Sequence, residues 1–101
     1  LIKSNAIVLV KNQAIVGIGA GQPNRVNSAF LAVRSAGDKS QDSVLSSDAF
    51  FPFPDTIELA AEAGVKAAIS PAGSIRDNEV IEAADRLGMA LIMTGNRHFL
   101  H

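Results

Sequence analysis

At 101 residues, with 48% hydrophobic and 19% charged side chains, the chain has the composition of one small globular domain, which excludes disordered and collagen-like classes. Nine basic against ten acidic residues give a net charge of −1, so the broadly basic footprint of a non-specific nucleic-acid binder is missing. With no cysteine, disulfide frameworks, thiolate metal sites and cysteine nucleophiles are excluded.

The opening Leu1 to Asn5 has neither an initiator methionine nor the layout of a signal peptide, and reads as the start of a piece cut from a longer chain. Ala6 to Lys11 is a β-branched and aliphatic run, and Ala14 to Gly19 is a second, so Lys11-Asn12-Gln13 between them predicts a hairpin. No unbroken apolar stretch is longer than the five residues of Ala6 to Val10, far short of the roughly 18–20 residues of a membrane helix. Gln22-Pro23-Asn24-Arg25 carries helix-start chemistry, and Val26, Ala29, Phe30 and Val33 recur at helical spacing. A helix is expected from about Pro23 to Ala36, stopped by Gly37. After a polar connection from Gly37 to Asp42, Val44 to Ser47 reads as a short strand. Pro52 and Pro54 forbid regular structure in the segment Asp48 to Pro54.

Asp55-Thr56-Ile57-Glu58 has the form of a capping box and opens a helix ending at Gly64. Val65 to Ser70 reads as a buried strand. The same grammar then repeats: a helix from Asn78 to Leu87 with Val80, Ala84 and Leu87 on one face, a stop at Gly88, and an apolar strand from Met89 to Thr94. Consecutive helix-glycine-strand units favour parallel strands joined by crossovers. The expected fold is α/β in two or three layers, with a mixed five-stranded sheet formed by an N-terminal hairpin and then helix-strand units.

Four places carry candidate chemistry. Gly17-x-Gly19-x-Gly21 reads either as a ligand-facing loop, whose backbone N–H groups hold an anion, or as a tight strand-to-helix turn. Phe50-Phe51-Pro52-Phe53-Pro54 reads either as a hydrophobic plug or as a wall against which a planar ring stacks. Ser70 to Asp77 joins a strand end to a helix start, the usual ligand position in an α/β sheet, although Ser74 with Asp77 also forms an S-x-x-D cap. Arg97 beyond the last strand suits a phosphate or carboxylate, or a solvated tail; His98 and His101 are the only imidazoles. Without cysteine or an H-x-E sequence, a zinc deaminase site cannot be assembled.

Ser4-Asn5-Ala6-Ile7-Val8, Gly17-Ile18-Gly19-Ala20-Gly21-Gln22 with Arg25, Ser46-Ser47-Asp48-Ala49-Phe50-Phe51-Pro52-Phe53 with Asp55, Pro71-Ala72-Gly73-Ser74, and Arg97-His98-Phe99-Leu100-His101 form one ordered series. Together they resemble the C-terminal part of the bifunctional purine-biosynthesis enzymes, their aminoimidazole carboxamide ribonucleotide (AICAR) transformylase domain. The resemblance covers essentially the whole chain as one unit, residues 1–101. It implies a cytidine-deaminase-like unit without catalytic zinc, within a cytoplasmic homodimer that transfers formyl from the co-substrate 10-formyltetrahydrofolate to AICAR. A separate IMP cyclohydrolase domain then closes the ring. Neither nucleic acid nor a membrane is an expected partner.

The resemblance further implies that Asn5, Phe50 and Arg97 face AICAR and that Arg25, Asp55, Ser74 and Ile75 face the folate, with an assisting role for Asp55. The family's catalytic Lys-His pair lies in an earlier stretch, and this sequence contains no Lys-His dipeptide. The segment alone is therefore expected to be inactive. The alternatives are a stand-alone nucleotide- or folate-binding module and a dimerisation unit whose phenylalanine loop is interface core.

Overall fold

A computed structural model describes residues 5–22 and 24–95. Strand β1 (Asn5–Lys11) turns back into β2 (Ala14–Gln22), and positive φ angles at Asn12 (54°) and Gln13 (65°) give the two-residue turn a twist suited to a hairpin. Helix α1 (Arg25–Ala36) runs into a 3-10 turn at Gly37–Ser40, and β3 (Val44–Ser47) follows. Then come α2 (Asp55–Glu62), β4 (Ala67–Pro71), α3 (Asp77–Leu87) and β5 (Ala90–Thr94).

The five strands form one mixed sheet in the order β2-β1-β3-β4-β5. β1 is antiparallel to both β2 and β3, whereas β3, β4 and β5 are parallel. The expected α/β class, hairpin and helix-strand units are all present. Helix stops sit where glycine was read: Gly37 follows α1 at φ 58°, and Gly88 closes α3 in the left-handed conformation.

One sheet face carries the core. Ile7, Leu9, Leu45 and Ala68 are fully buried on it, under Ala29 and Ala32 of α1, Ile57 and Ala60 of α2, and Val80 of α3. The seat of α1 corrects two sequence expectations. Gly17 and Gly19 lie inside β2, in neither a ligand loop nor a turn, and a Cβ on them would stand 2.2 Å from the Ala32 carbonyl oxygen and 1.8 Å from that of Ser28. The helix backbone thus rests directly on the strand backbone. Only alanine-sized side chains fit at that distance, so the buried face of α1 is Ala29, Ala32 and Ala36, and Phe30, expected inward, is 50% exposed.

On the opposite face, register aligns Ile18, Val8, Ser46, Ile69 and Ile92 in one row across all five strands. Val10, Val44, Ala67 and Ala90 form a second row beside it. Among the described residues no helix covers these rows, and Ile18 and Ile92 are each 53% exposed. The layer count is therefore two.

Candidate functional site

The topology brings the carboxyl ends of β3 and β4 to the same end of the sheet as the start of β1 and the end of β2. Asn5 pairs with Gln22, and Ile7 pairs with Ser47. The loops between β3 and α2 and between β4 and α3, together with the first turn of α1, open at this end. This is where an open α/β sheet ordinarily holds its ligand. The backbone of Asn5 and the residues Arg25, Phe50, Asp55, Ser74 and Ile75, spread over 71 positions of sequence, all lie on these segments. Arg97, His98 and His101 lie outside the described residues.

Asn24 caps α1, its side-chain oxygen accepting the Asn27 N–H at 2.9 Å, which fixes Arg25 as the first helical residue. Arg25 is only 9% exposed. Its Nη1 donates to Asp48 Oδ1 at 2.6 Å, while its Nε is buried without a partner among the described residues. Asp48, directly after β3, also accepts the Ala6 N–H on Oδ1 at 3.3 Å and returns its own N–H to the Ala6 carbonyl at 3.2 Å. The β1–β3 ladder is thereby carried one residue past Ser47, into the aromatic loop.

The three phenylalanines of that loop differ in burial. Phe51 is fully buried and is the plug, while Phe50 and Phe53 are 39% and 50% exposed. The Phe50 ring lies against Gly73, where a Cβ would meet its Cδ2 at 3.4 Å, an ordinary contact; it is the φ of 134° that reserves the position for glycine. The Arg76 guanidinium sits 5.0 Å from the Phe53 ring centre, within cation–π range, and pairs with Glu79 at 3.0 Å. Ile75, 98% exposed, projects from the same loop. An aromatic and aliphatic ledge results, with a cation at its edge, suited to a flat heterocycle bearing an anionic group.

The two caps read from sequence are both altered. Helix α2 begins with Pro54 at the N-cap, so Asp55 is its first helical residue and the capping box is not formed. Asp55 Oδ1 accepts the adjacent Thr56 N–H at 2.8 Å, and Glu58 reaches across to Arg86 at 3.4 Å instead of back to the helix start. The proline supplies the reason: its fixed φ already suits helix entry, which draws the boundary one residue earlier. At α3, Ser74 Oγ accepts from Arg76 N–H at 3.0 Å and leaves the helix proper uncapped. The Asp77 carboxylate instead turns back onto the Gly73 and Ser74 N–H groups at 2.9 and 3.1 Å. Ser74 is therefore held in a tight turn with its hydroxyl proton still available. Beneath the site, the hydroxyls of Thr56 and Ser70 are buried without partners among the described residues.

Sequence reasoning passed over Asp48 and Arg76. Both are small signals, an acid just after a strand and a base just before a helix, and neither side chain's role is legible until its distant partner is placed.

Residues 1–35 match the family model of the AICARFT/IMPCHase bienzyme. Over 100 residues the chain is 59% identical to the bifunctional purine biosynthesis protein PurH of Desulfitobacterium hafniense, covering 99% of this chain and 19% of that protein. The chain is homologous to one stretch of PurH. It spans about a fifth of the length of the PurH proteins it matches. In fold it is similar to RibD of Acinetobacter baumannii, with a TM-score of 0.71 at 16% identity over 88% of this chain and 28% of that one. It is likewise similar to dCMP deaminase of the cyanophage S-TIM5, with a TM-score of 0.69 at 21% identity over 89% and 80% of the two chains. The fold is thus cytidine-deaminase-like. Zinc deaminases bind their metal through His and Cys ligands, and this cysteine-free chain, in which no three His, Asp or Glu side chains gather among the described residues, does not fit that metal.

Proposed function

We propose that this chain is the C-terminal substrate-binding segment of an AICAR transformylase, working within the complete bifunctional purine-biosynthesis enzyme. The reaction forms a bond between the AICAR 5-amino nitrogen and the formyl carbon and breaks the bond from that carbon to N10 of tetrahydrofolate; the amine loses a proton and N10 gains one. The amine is a weak nucleophile, so most of the acceleration comes from holding it against the formyl carbon. Asn5, Phe50 and Arg97 hold the AICAR nucleotide, with Arg97 on its phosphate. Arg25, Asp55, Ser74 and Ile75 hold the folate, with the exposed Phe53 ring beside Ile75 adding apolar surface for its ring system. A Lys-His pair from an earlier stretch of the enzyme moves the protons, and Asp55 assists.

The observation that supports this reading best is the convergence at one sheet end of six of the seven residues that the family resemblance implies. The uncovered apolar rows on the far sheet face support the remainder of the enzyme and a second subunit as partners, since exposed apolar surface of that extent marks an interaction face. The test compares the 101-residue chain with the complete enzyme. The complete enzyme is expected to transfer formyl and the isolated chain to show none above a no-enzyme control. In the complete enzyme, Arg97→Ala removes a charge-assisted hydrogen bond of about 1.5–3 kcal/mol and should weaken AICAR binding roughly ten-fold or more. Unchanged AICAR affinity in a folded variant would return Arg97 to a solvated tail.

A further inference from the structure

Arg25 presents an unusual combination: a guanidinium that is nine-tenths buried, clamped at one nitrogen and unsatisfied at another. An arginine has five N–H donors in a rigid plane, so a short bond at Nη1 sets the direction of the remaining donors as well. Nε is a buried donor with no acceptor among the described residues, so the Asp48 contact carries the orientation of the group. The clamp is Asp48, whose Oδ1 simultaneously accepts from Ala6 and whose N–H pairs with the Ala6 carbonyl. One carboxylate therefore ties together the first residue of α1, the start of β1 beside Asn5, and the loop that carries Phe50.

We infer that Asp48 is a positioning residue, which holds the Arg25 guanidinium so that the N–H donors it leaves unengaged at the outer edge meet an acceptor oxygen of the folate co-substrate. This rests on the proposed formyl transfer. It assigns a role to a side chain that touches no substrate itself. The negative charge is needed as well as the shape: an asparagine retains the acceptor for Ala6 but leaves a buried cation uncompensated.

The experiment measures KM for 10-formyltetrahydrofolate and for AICAR in the complete enzyme carrying Asp48→Asn, Arg25→Ala and both together. Asp48→Asn should raise KM for the folate about ten-fold while KM for AICAR stays within about two-fold, and it should add nothing in the Arg25→Ala background. Losses that multiply in the double variant, or equal rises in both KM values, overturn the role of Asp48 while leaving the formyl-transfer reading intact. A wild-type enzyme that neither binds nor uses the folate overturns both. If Asp48→Asn fails to fold, Arg25→Lys decides: it keeps the charge pair and lacks the guanidinium's fork of donors, so it should raise the folate KM at unchanged melting temperature, and an unchanged folate KM refutes the inference.

Discussion

Replacing Gly19 by alanine tests the close seat of α1 on the sheet. The added methyl would lie 1.8 Å from the Ser28 carbonyl oxygen, 2.8 Å from its carbon and 2.9 Å from the Ala32 nitrogen. These are backbone atoms and cannot swing aside. Ordinary contact begins at 3.4 Å, so the helix must retreat by about 1.6 Å at this point. A gap of even about 0.5–1 Å forfeits a quarter to a half of each dispersion contact, and here it would open beneath Ala29 and Ala32, both fully buried. Overpacking alone costs about 1–3 kcal/mol, and lifting the helix adds to it, so a loss on the order of 3 kcal/mol or more is expected. For a chain of this size that corresponds to roughly 12–24 °C in melting temperature. The control is Gly21→Ala, where no atom lies within 4 Å and only the φ of 75° opposes the methyl, at about 1–2 kcal/mol. Urea titrations of both variants followed by far-UV circular dichroism measure the difference. A Gly19→Ala protein as stable as the Gly21→Ala control would refute the close-seat argument. Because Arg25 opens the same helix, the complete enzyme carrying Gly19→Ala should also lose folate affinity.

Asp55→Asn in the complete enzyme keeps an acceptor for Thr56 N–H and loses only the favourable charge at the start of α2, about 0.3–1 kcal/mol, so the melting temperature should barely move while formyl transfer falls about 10²-fold. Near-normal turnover would reduce Asp55 to a helix-start residue. Ser70→Ala removes a buried hydroxyl with no partner among the described residues, so the 101-residue chain should be as stable as the wild type or more so by denaturant titration. A loss of more than about 1 kcal/mol would show that the hydroxyl has a partner after all. Ile92→Lys places a charge on the open sheet face; it should change the 101-residue chain by less than about 0.5 kcal/mol but cost the complete enzyme about 2 kcal/mol or more. Equal effects in the two proteins would mean that nothing covers that face.

The element order was legible in the sequence because its signals are local. Alternating and helical hydrophobic periods, the prolines of the aromatic loop and the stop glycines at 37 and 88 each act within a few residues of themselves. The placement of six candidate residues at one sheet end, on loops and on the first residues of β1, α1 and α2, followed from that order, since parallel strands return every helix start to the same end. What the chain does with a side chain once distant elements meet was decided only in three dimensions. The pattern Val26, Ala29, Phe30 and Val33 satisfied a helical period, yet the buried face turned toward the alanines because Gly17 and Gly19, far off in the sequence, let two backbones touch. The same glycines, read as a loop, are inner strand positions whose missing Cβ matters only when α1 arrives. Asp55 and Ser74 matched capping spacings, but the helix boundaries shifted under Pro54 and under the turn drawn in by Asp77. Asp48 carried no periodicity at all, and its importance came from a guanidinium 23 residues away, because ion pairs are set by proximity in space and leave no spacing in the chain.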